Sequence, residues 1–124
     1  MVKYIPLCEE IAKKGNSYAI DLLGYYYRYV DYSSENLIKA FNLYKGASTN
    51  KKQEDVSAIY NYGYMLFYGL GSDKDEESAI LLLTEAAEKG QSQAKMFIAD
   101  LYFTGKVFPQ DMEKARKLYA EANL

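Results

Sequence analysis

Apolar residues recur at steps of three and four positions along most of the chain, and the strict alternation expected of a strand is nowhere sustained. The pattern therefore predicts an all-α protein. Polar and glycine-containing breaks divide the periodic stretches into seven predicted helices. They cover residues 4–14, 17–30, 34–48, 54–68, 74–88, 91–104 and 110–122.

The residues at these breaks carry helix-end signals. Four glycines stand where helices should stop, because glycine adopts the left-handed conformation of a C-cap at little cost. They are Gly15, Gly69, Gly90 and Gly105. Pro6 and Pro109 suit the first turns of the first and last helices. Asp73 and Glu76 have the spacing of a capping box ahead of the fifth helix.

The second half of the chain repeats itself. When residues 58–88 are laid over residues 94–124, a shift of 36, nine of 31 positions are identical. Average composition would give about two. The identical pairs are Ala58/Ala94, Phe67/Phe103, Gly69/Gly105, Asp75/Asp111, Glu77/Glu113, Ala79/Ala115, Leu82/Leu118, Glu85/Glu121 and Ala86/Ala122.

A weaker third copy lies upstream at a shift of 39, where Gly24 matches Gly63 and Ala40 matches Ala79. The three additional residues fall in the polar stretch 48–55, which we predict to be a surface loop. Repeats of this length predict stacked two-helix units. We expect one domain over residues 1–124, with a partial leading repeat at 1–15 and repeats at 16–54, 55–90 and 91–124.

The second helix of each unit is amphipathic. In the last one the predicted inward face consists of Met112, Ala115, Leu118, Tyr119 and Ala122. In the leading helix it consists of Tyr4, Leu7, Cys8, Ile11 and Ala12. Charged residues occupy the opposite faces, so both ends of the stack are predicted to present polar outer surfaces.

The first helix of each unit has two apolar stripes where a surface helix needs one. In 54–68, the stripe of Ile59, Tyr62, Gly63 and Leu66 suits packing, with Gly63 allowing close helix approach. The other stripe contains Tyr60, Tyr64, Phe67 and Tyr68. Either this second face also packs, or it lines a surface that is open to a ligand.

The repeated residues follow one register through three units. The middle unit has Ala58, Gly63, Gly69, Gly71, Asp75, Ala79, Ala86, Ala87 and Gly90. The last unit has Ala94, Ala99, Tyr102, Gly105, Asp111, Lys114, Ala115, Tyr119 and Ala122. The first unit has Ala19, Leu23, Gly24, Tyr27, Lys39, Ala40, Leu43, Tyr44 and Ala47. Over about residues 16–124 this pattern resembles the Sel-one-like repeats, α-solenoids related to tetratricopeptide repeats.

The chain departs from the family pattern in three respects. A family tryptophan is leucine in all three units, which keeps the core apolar. In the first unit Val30 and Tyr32 replace both loop glycines, and Asn36 replaces the family aspartate, so the shape of that turn is left open. The paired cysteines of extracellular bacterial members are absent, which disfavours that branch.

The resemblance implies a right-handed α–α superhelix whose first helices line a concave inner surface. It also implies a non-catalytic adaptor that binds a protein or peptide partner. By position within the unit, the inner surface would carry Tyr18, Asp21, Tyr25, Arg28, Tyr29, Tyr60, Asn61, Tyr64, Phe67, Tyr68, Met96, Phe97, Asp100 and Phe103, with Ser57 and Thr104 beside them.

The chain contains fourteen tyrosines and no tryptophan. Tyrosine offers a large contact area at little rotamer entropy, together with a hydroxyl group, so a tyrosine-rich groove suits a peptide. The alternative is that these rings pack between the units, or reflect compositional bias. Arg28, the one predicted groove cation, either stacks on a ring or clamps a partner carboxylate, or else pairs with Asp21 or another neighbouring acid.

Composition bears on nucleic-acid binding, membrane insertion and cellular compartment. The net charge is −2 and the basic residues are scattered, which disfavours nucleic-acid binding. The longest apolar run, residues 80–83, is too short for membrane insertion, and Glu9 and Glu10 interrupt any signal-peptide core. A single cysteine, Cys8, forms no internal disulfide, so we expect an intracellular, cytoplasmic protein.

Few features of the sequence favour catalysis, metal binding or a cofactor. The chain has no histidine, which removes the usual catalytic dyads and imidazole metal ligands. The stretch 69–74 follows a helix and lacks P-loop spacing, and the acids at 73–77 lack the pattern of a calcium loop. Cys8 is expected to fill the core. We therefore predict no enzyme activity, no metal and no cofactor.

The sequence thus predicts an adaptor that holds a peptide or protein segment in an aromatic concave groove. One alternative is a structural module that self-associates weakly through its terminal helices. Another is a small-molecule binder or enzyme, which would need a closed pocket with convergent titratable groups.

Overall fold

A computed structural model describes residues 4–50 and 54–123 of the chain. Within them lie seven helices: α1 (Ile5–Lys13), α2 (Ser17–Tyr25), α3 (Ser34–Ser48), α4 (Val56–Tyr68), α5 (Glu76–Glu88), α6 (Ser92–Thr104) and α7 (Met112–Ala122). Helix α2 continues into a π-helical segment, Tyr26–Val30. The all-α fold and the seven helices are confirmed.

The helices form a helical repeat solenoid. The main contacts join helices adjacent in the chain, from α1 against α2 through to α6 against α7. In such a stack each unit packs on its neighbours and the core runs along the array. One core cluster extends from Ala12 on α1 to Leu101 on α6.

Small residues at repeated positions allow the helices of one unit to approach closely. Ala40, Ala79 and Ala115 occupy the same position in α3, α5 and α7, and all three are buried. A Cβ atom at Gly63 would lie 3.1 Å from the Leu83 Cγ atom, so the predicted close approach at Gly63 is confirmed. At Gly24 the approach is tighter, because a Cβ atom there would overlap the Tyr44 hydroxyl and ring.

Side-chain caps define where the helices begin. One residue ahead of each helix from α2 to α7 accepts a hydrogen bond from the backbone N–H three residues later. These caps are Asn16, Ser33, Asp55, Asp75, Gln91 and Asp111. Each satisfies one of the N–H groups that a helix start leaves without an intrahelical partner.

The positions of these caps show that two predicted helix starts are wrong. Asp75, and not Asp73, caps α5, because its side chain lies at the residue before the helix and accepts from the Ser78 N–H at 3.1 Å. Asp111 does the same for α7, so Pro109 lies in the preceding loop and not in the first turn. Pro6 does lie in the first turn of α1. The four predicted stop glycines have positive φ angles, as expected.

The first hairpin turns differently from the other two. Loops of seven residues, 69–75 and 105–111, join α4 to α5 and α6 to α7, whereas residues 31–33 alone join the π-helical segment to α3. Asn36 does not cap α3. Its buried Nδ2 atom instead donates to the Asp31 carbonyl at 2.6 Å. The shape of the first turn, which the missing glycines had left open, is therefore a short connection held by this hydrogen bond.

The two ends of the stack are not alike. The outer face of α7 carries exposed charges, as predicted, together with exposed Met112, which was wrongly predicted to face inward. On α1 the predicted inward face is wrong for Tyr4, Leu7 and Ile11, which are exposed, while Ala12 is buried. Because the main contact of α1 is with α2, only the side that faces α2 is covered.

The face of α1 toward α2 includes a residue that was predicted to point outward. The Tyr27 hydroxyl donates a hydrogen bond of 2.7 Å to the Glu9 carboxylate. Burial, followed by this hydrogen bond, raises the pKa of Tyr27 well above its usual value. Cys8 is half-buried and packs against the core, as predicted.

Candidate functional site

An open groove of about 610 Å³ lies between α4 and α6 and the loop that follows α6. We call it the aromatic groove. Its lining residues are Tyr60, Tyr64, Phe67, Tyr68, Gln93, Met96, Phe97, Asp100, Leu101, Thr104, Lys106 and Val107. Both helices are the first helices of their units, which is where the inner surface was predicted.

One wall of the groove is a ladder of tyrosines on α4. Tyr60, Tyr64 and Tyr68 are spaced by four residues and therefore share a helix face. The ring centroids of Tyr60 and Tyr64 are 5.9 Å apart, and those of Tyr64 and Tyr68 are 4.8 Å apart. Consecutive rings hold one another in place along the helix.

Phe97 of α6 closes the groove floor against this ladder. Its ring makes an edge-to-face contact with Phe67 at a centroid distance of 5.0 Å, and similar contacts with Tyr64 at 5.9 Å and Tyr68 at 6.1 Å. Such pairs contribute about 0.5–1.5 kcal/mol each beyond burial. The rings therefore form a packed cluster that is already ordered before any ligand arrives.

The upper edge of this cluster is accessible. Tyr68 is 52 % exposed and Met96 is 47 % exposed, whereas Phe67 is only 9 % exposed. Tyr60 and Tyr64 are half-buried. Phe67 thus supports the groove from below, and the tyrosines with Met96 present surface that a ligand can reach.

Arg28 extends the aromatic surface toward the first unit. Its guanidinium carbon lies 4.4 Å from the centroid of the Tyr64 ring and 4.8 Å from that of Tyr29. Tyr29 in turn contacts Tyr25 at 5.1 Å between centroids. Of the alternatives left open for Arg28, the structure shows stacking on rings, and among residues 4–50 and 54–123 Arg28 makes no ion pair with Asp21.

The ionisable groups at the groove are Asp100, Lys106 and the tyrosine hydroxyls. Asp100 accepts a hydrogen bond from the Tyr119 hydroxyl of α7, and this bond raises the pKa of Tyr119 to about 12. Burial raises the pKa of Tyr60 and of Tyr68, with a smaller contribution from Tyr64 in both cases. At neutral pH these hydroxyls are therefore protonated and can donate hydrogen bonds to a ligand.

The structure gathers half of the predicted site residues into the groove. Those that line it are Tyr60, Tyr64, Phe67, Tyr68, Met96, Phe97 and Asp100. Arg28, Tyr29 and Tyr25 connect to it through ring contacts. Tyr18, Asp21, Asn61 and Phe103 do not line it, and Tyr18 is 80 % exposed.

Asp21 lies in a separate charged environment. Partial burial of its carboxyl group raises the pKa of Asp21, and the Asp55 carboxylate raises it further. Nearby, burial raises the pKa of Tyr44 to about 12, although the Arg28 charge acts in the opposite direction.

Four lining residues were not predicted. Gln93 occupies the repeat position of Ser57, so the register itself could have found it. Leu101 belongs mainly to the core. Lys106 and Val107 lie in the loop after α6, where helical periodicity gives no information about direction.

The described part of the chain brings together no three Asp, Glu, Cys or His side chains that could hold a metal ion. None of its helices is long and apolar enough to cross a bilayer. The groove is lined mostly by rings and aliphatic carbon, and Asp100 and Lys106 are its two charged residues. The arrangement is suited to holding a ligand by contact and hydrogen bonding.

Comparison with known proteins identifies the repeat. The Sel1 repeat matches three times, over residues 17–50, 56–91 and 92–123. A crystal structure of a Sel1 repeat protein from Oxalobacter formigenes superimposes with a TM-score of 0.75 at 28 % sequence identity. The match covers 88 % of this chain and 43 % of that chain, so this chain spans less than half the length of its structural relative. The chain belongs to the Sel1 repeat family, with three Sel1 repeats forming its solenoid.

Proposed function

We propose that the protein is a non-catalytic adaptor that binds a peptide or protein segment in the aromatic groove. Sel1 repeats are generally modules for protein interaction. The observation that carries the proposal is the groove itself, in which partly exposed aromatic rings pack against buried ones. Rigid aromatic anchors provide contact area while little rotamer entropy is lost on binding.

The shape of the groove suits an extended or helical segment more than a small molecule. It is open along its length, between two helices that run from Val56 to Tyr68 and from Ser92 to Thr104. The tyrosine hydroxyls donate and accept hydrogen bonds, and Lys106 can meet a carbonyl or a carboxylate of the ligand. A segment with one or two aliphatic or aromatic anchors flanked by polar residues would fit this lining.

The single cysteine and the absence of paired cysteines favour a reducing compartment. We place the adaptor inside the cell on this ground, in keeping with a role in holding other proteins together. No metal or cofactor enters the proposed binding.

The test is selection of peptides on the immobilised protein, followed by affinity measurements on variants. Tyr64→Ser with Tyr68→Ser removes two anchors, and we expect affinity to fall by at least tenfold, since each buried anchor contributes about 1–2 kcal/mol. Phe67 is left intact, because its removal would open a cavity in the core.

The matched control is Tyr18→Ser, which removes an exposed tyrosine outside the groove. It should leave affinity unchanged, and circular dichroism should show the same helicity in all variants. Peptides that bind wild type and the double variant equally would reject the groove as the binding site.

A further inference from the structure

Arg28 lies beside the aromatic groove, on the side of the first unit. It belongs to the π-helical segment Tyr26–Val30 and is partly buried. Its guanidinium carbon lies 4.4 Å from the centroid of the Tyr64 ring, which lines the groove, and 4.8 Å from that of Tyr29. Burial raises the pKa of Tyr60 and the Arg28 charge opposes this rise, so Arg28 also acts on a second groove residue. Rings of two units thus hold this charge at the edge of the groove.

The ring contacts leave the hydrogen-bond donors of Arg28 unused. A guanidinium has five N–H donors, and the face of a ring attracts its charge without satisfying them. The Arg28 side chain forms no ion pair or hydrogen bond with residues 4–50 or 54–123. Water can reach the partly exposed guanidinium, but an anionic acceptor would form the stronger, charge-assisted hydrogen bonds.

The repeat register shows that packing does not require a cation at this position. At the shift of 39 Arg28 corresponds to Phe67, and at the shift of 36 Phe67 corresponds to Phe103. Phenylalanine therefore fills the position in the second and third units, and the Phe67 ring packs on Phe97 with a centroid distance of 5.0 Å. Arginine keeps a contact with neighbouring rings and adds a charge that the stack itself does not use.

The charged groups at the groove leave an excess of positive charge. Asp100 is the one carboxylate among the described lining residues, and it already accepts a hydrogen bond from Tyr119. Lys106 lines the groove from the loop after α6, is exposed, and forms no ion pair within the described ranges. Together with Arg28 it gives the groove two cations without a counter-charge, although the whole chain has a net charge of −2. A ligand with negative charge complements this surface.

We propose that the segment bound in the aromatic groove is acidic, with an aspartate or glutamate side chain close to its apolar anchor, and that Arg28 binds this carboxylate. Because the segment occupies the groove, this assignment rests on the function proposed above. A guanidinium matches a carboxylate through two parallel N–H···O bonds. Since Tyr29 and Tyr64 already hold Arg28 in place, little side-chain entropy is lost when the carboxylate binds.

Three synthetic peptide pools test the proposal. The pools have the same length and the same mixture of Leu, Phe, Met and Tyr at a central anchor, and they differ only in the residues around it, which are Glu, Gln or Lys. Fluorescence anisotropy of each labelled pool gives its affinity for wild type. The Glu pool should bind about tenfold more tightly than the Gln pool, because one charge-assisted pair contributes about 1.4 kcal/mol, and the Lys pool should bind most weakly.

Two arginine variants assign this preference to a position. In Arg28→Gln the preference for Glu over Gln should fall to about twofold or less, because Lys106 alone remains and its exposed charge is screened by solvent. Affinity for the Gln pool should stay within about twofold of wild type, since the ring anchors are intact. Arg116→Gln is the matched control: it removes the chain's other arginine, which is exposed on α7 outside the groove, and should keep the full preference. Circular dichroism should show unchanged helicity in both.

The double variant Tyr64→Ser with Tyr68→Ser separates failure of this proposal from failure of the groove. Equal binding of the Glu and Gln pools to wild type, a preference that survives Arg28→Gln, or an equal loss of all pools in Arg28→Gln would overturn carboxylate binding by Arg28. The groove itself would stand in these cases if the double variant still lost binding. If no pool binds wild type, or if the double variant binds every pool as wild type does, the groove fails and the acidic partner fails with it.

Discussion

The first hairpin, α2 to α3, and the second, α4 to α5, hold the same place in the repeat but turn by different means. The second uses Gly69 and Gly71, both at positive φ, within a loop of seven residues. The first has Val30 and Tyr32 instead and turns through a π-helical segment, with Asn36 tying the short connection to α3. Helices at equivalent repeat positions can therefore be joined by connections of different length and conformation.

The same comparison holds for the inner surface. In the second and third units Tyr64, Tyr68 and Phe97 pack on one another and define the aromatic groove. In the first unit Tyr25 and Tyr29 stand at the positions of Tyr64 and Tyr68 and contact each other, but they join the cluster only through Arg28, which lies over the Tyr29 and Tyr64 rings. The inner surface therefore forms the aromatic groove where rings from two neighbouring units contact each other.

The largest effect should come from adding a methyl group where the two hairpins pack most differently. Gly24 and Gly63 are equivalent, but Gly24 faces the buried Tyr44 ring and Gly63 faces Leu83. Gly24→Ala should lower the free energy of unfolding by about 2–3 kcal/mol, because the ring has to move, and Gly63→Ala by clearly less. Chemical denaturation measures both.

Gly46→Ala serves as the control for these variants, since a Cβ atom at this position in α3 meets nothing within 4 Å. It should raise stability by about 0.5–1 kcal/mol through helix propensity. Equal losses at Gly24 and Gly63 would contradict the difference in packing.

The next effect concerns the glycine turn. At Gly71 a Cβ atom would overlap the Leu37 carbonyl oxygen, and φ is +74°. Gly71→Ala should therefore cost about 2 kcal/mol of unfolding free energy. Gly90→Ala has a positive φ but open space, so it should cost about 1 kcal/mol from backbone strain alone. Thermal unfolding measures both, and equal losses at Gly71 and Gly90 would show that the contact with α3 does not matter.

A smaller effect would come from restoring the repeat's own residue in the first hairpin. Asn36→Asp removes the amide that donates to the Asp31 carbonyl and sets a carboxylate against that oxygen. Stability at neutral pH should fall by about 1–2 kcal/mol, although the family pattern has aspartate here. Because a protonated carboxyl group can donate, the loss should shrink below about pH 4. A stabilised variant would show that Asn36 has no such role.

These contrasts show how far the sequence could lead. Periodicity and the shift of 36 predicted the seven helices and the stack, since both depend on patterns that recur. They could not predict the π-helical turn or the hydrogen bond from Asn36 to Asp31, because neither recurs in the other two units. Asp75 and Asp111 could have been identified as caps from their identity in two units.

Only part of the aromatic groove could be predicted from the sequence. The tyrosine ladder on α4 followed from spacing alone, but the junction with Phe97 needed the distance between two helices. Lys106 and Val107 come from a loop, and the exposure of Leu7 and Ile11 depends on α1 having the main contact with one helix only.

The smallest effect is a titration that distinguishes two of the tyrosines whose pKa values are raised, Tyr119 and Tyr44. The hydrogen bond to Asp100 raises the pKa of Tyr119 to about 12, and burial does the same for Tyr44. A raised pKa in the folded state stabilises the fold below about pH 10, and this contribution is lost as the pH rises toward 12. Asp100→Asn should lower the pKa of Tyr119 toward its ordinary value in an ultraviolet titration, while the pKa of Tyr44 stays unchanged. A shift of both together would contradict the assignment.

The central claim is that a peptide or protein segment binds between α4 and α6. Methionine-methyl NMR during titration with a selected peptide tests it most directly, because Met96 lines the groove, Met65 is buried in the core and Met112 lies on α7. The account predicts that the Met96 methyl signal shifts with saturation while those of Met65 and Met112 stay in place. A saturable shift at Met112 with none at Met96 would contradict it.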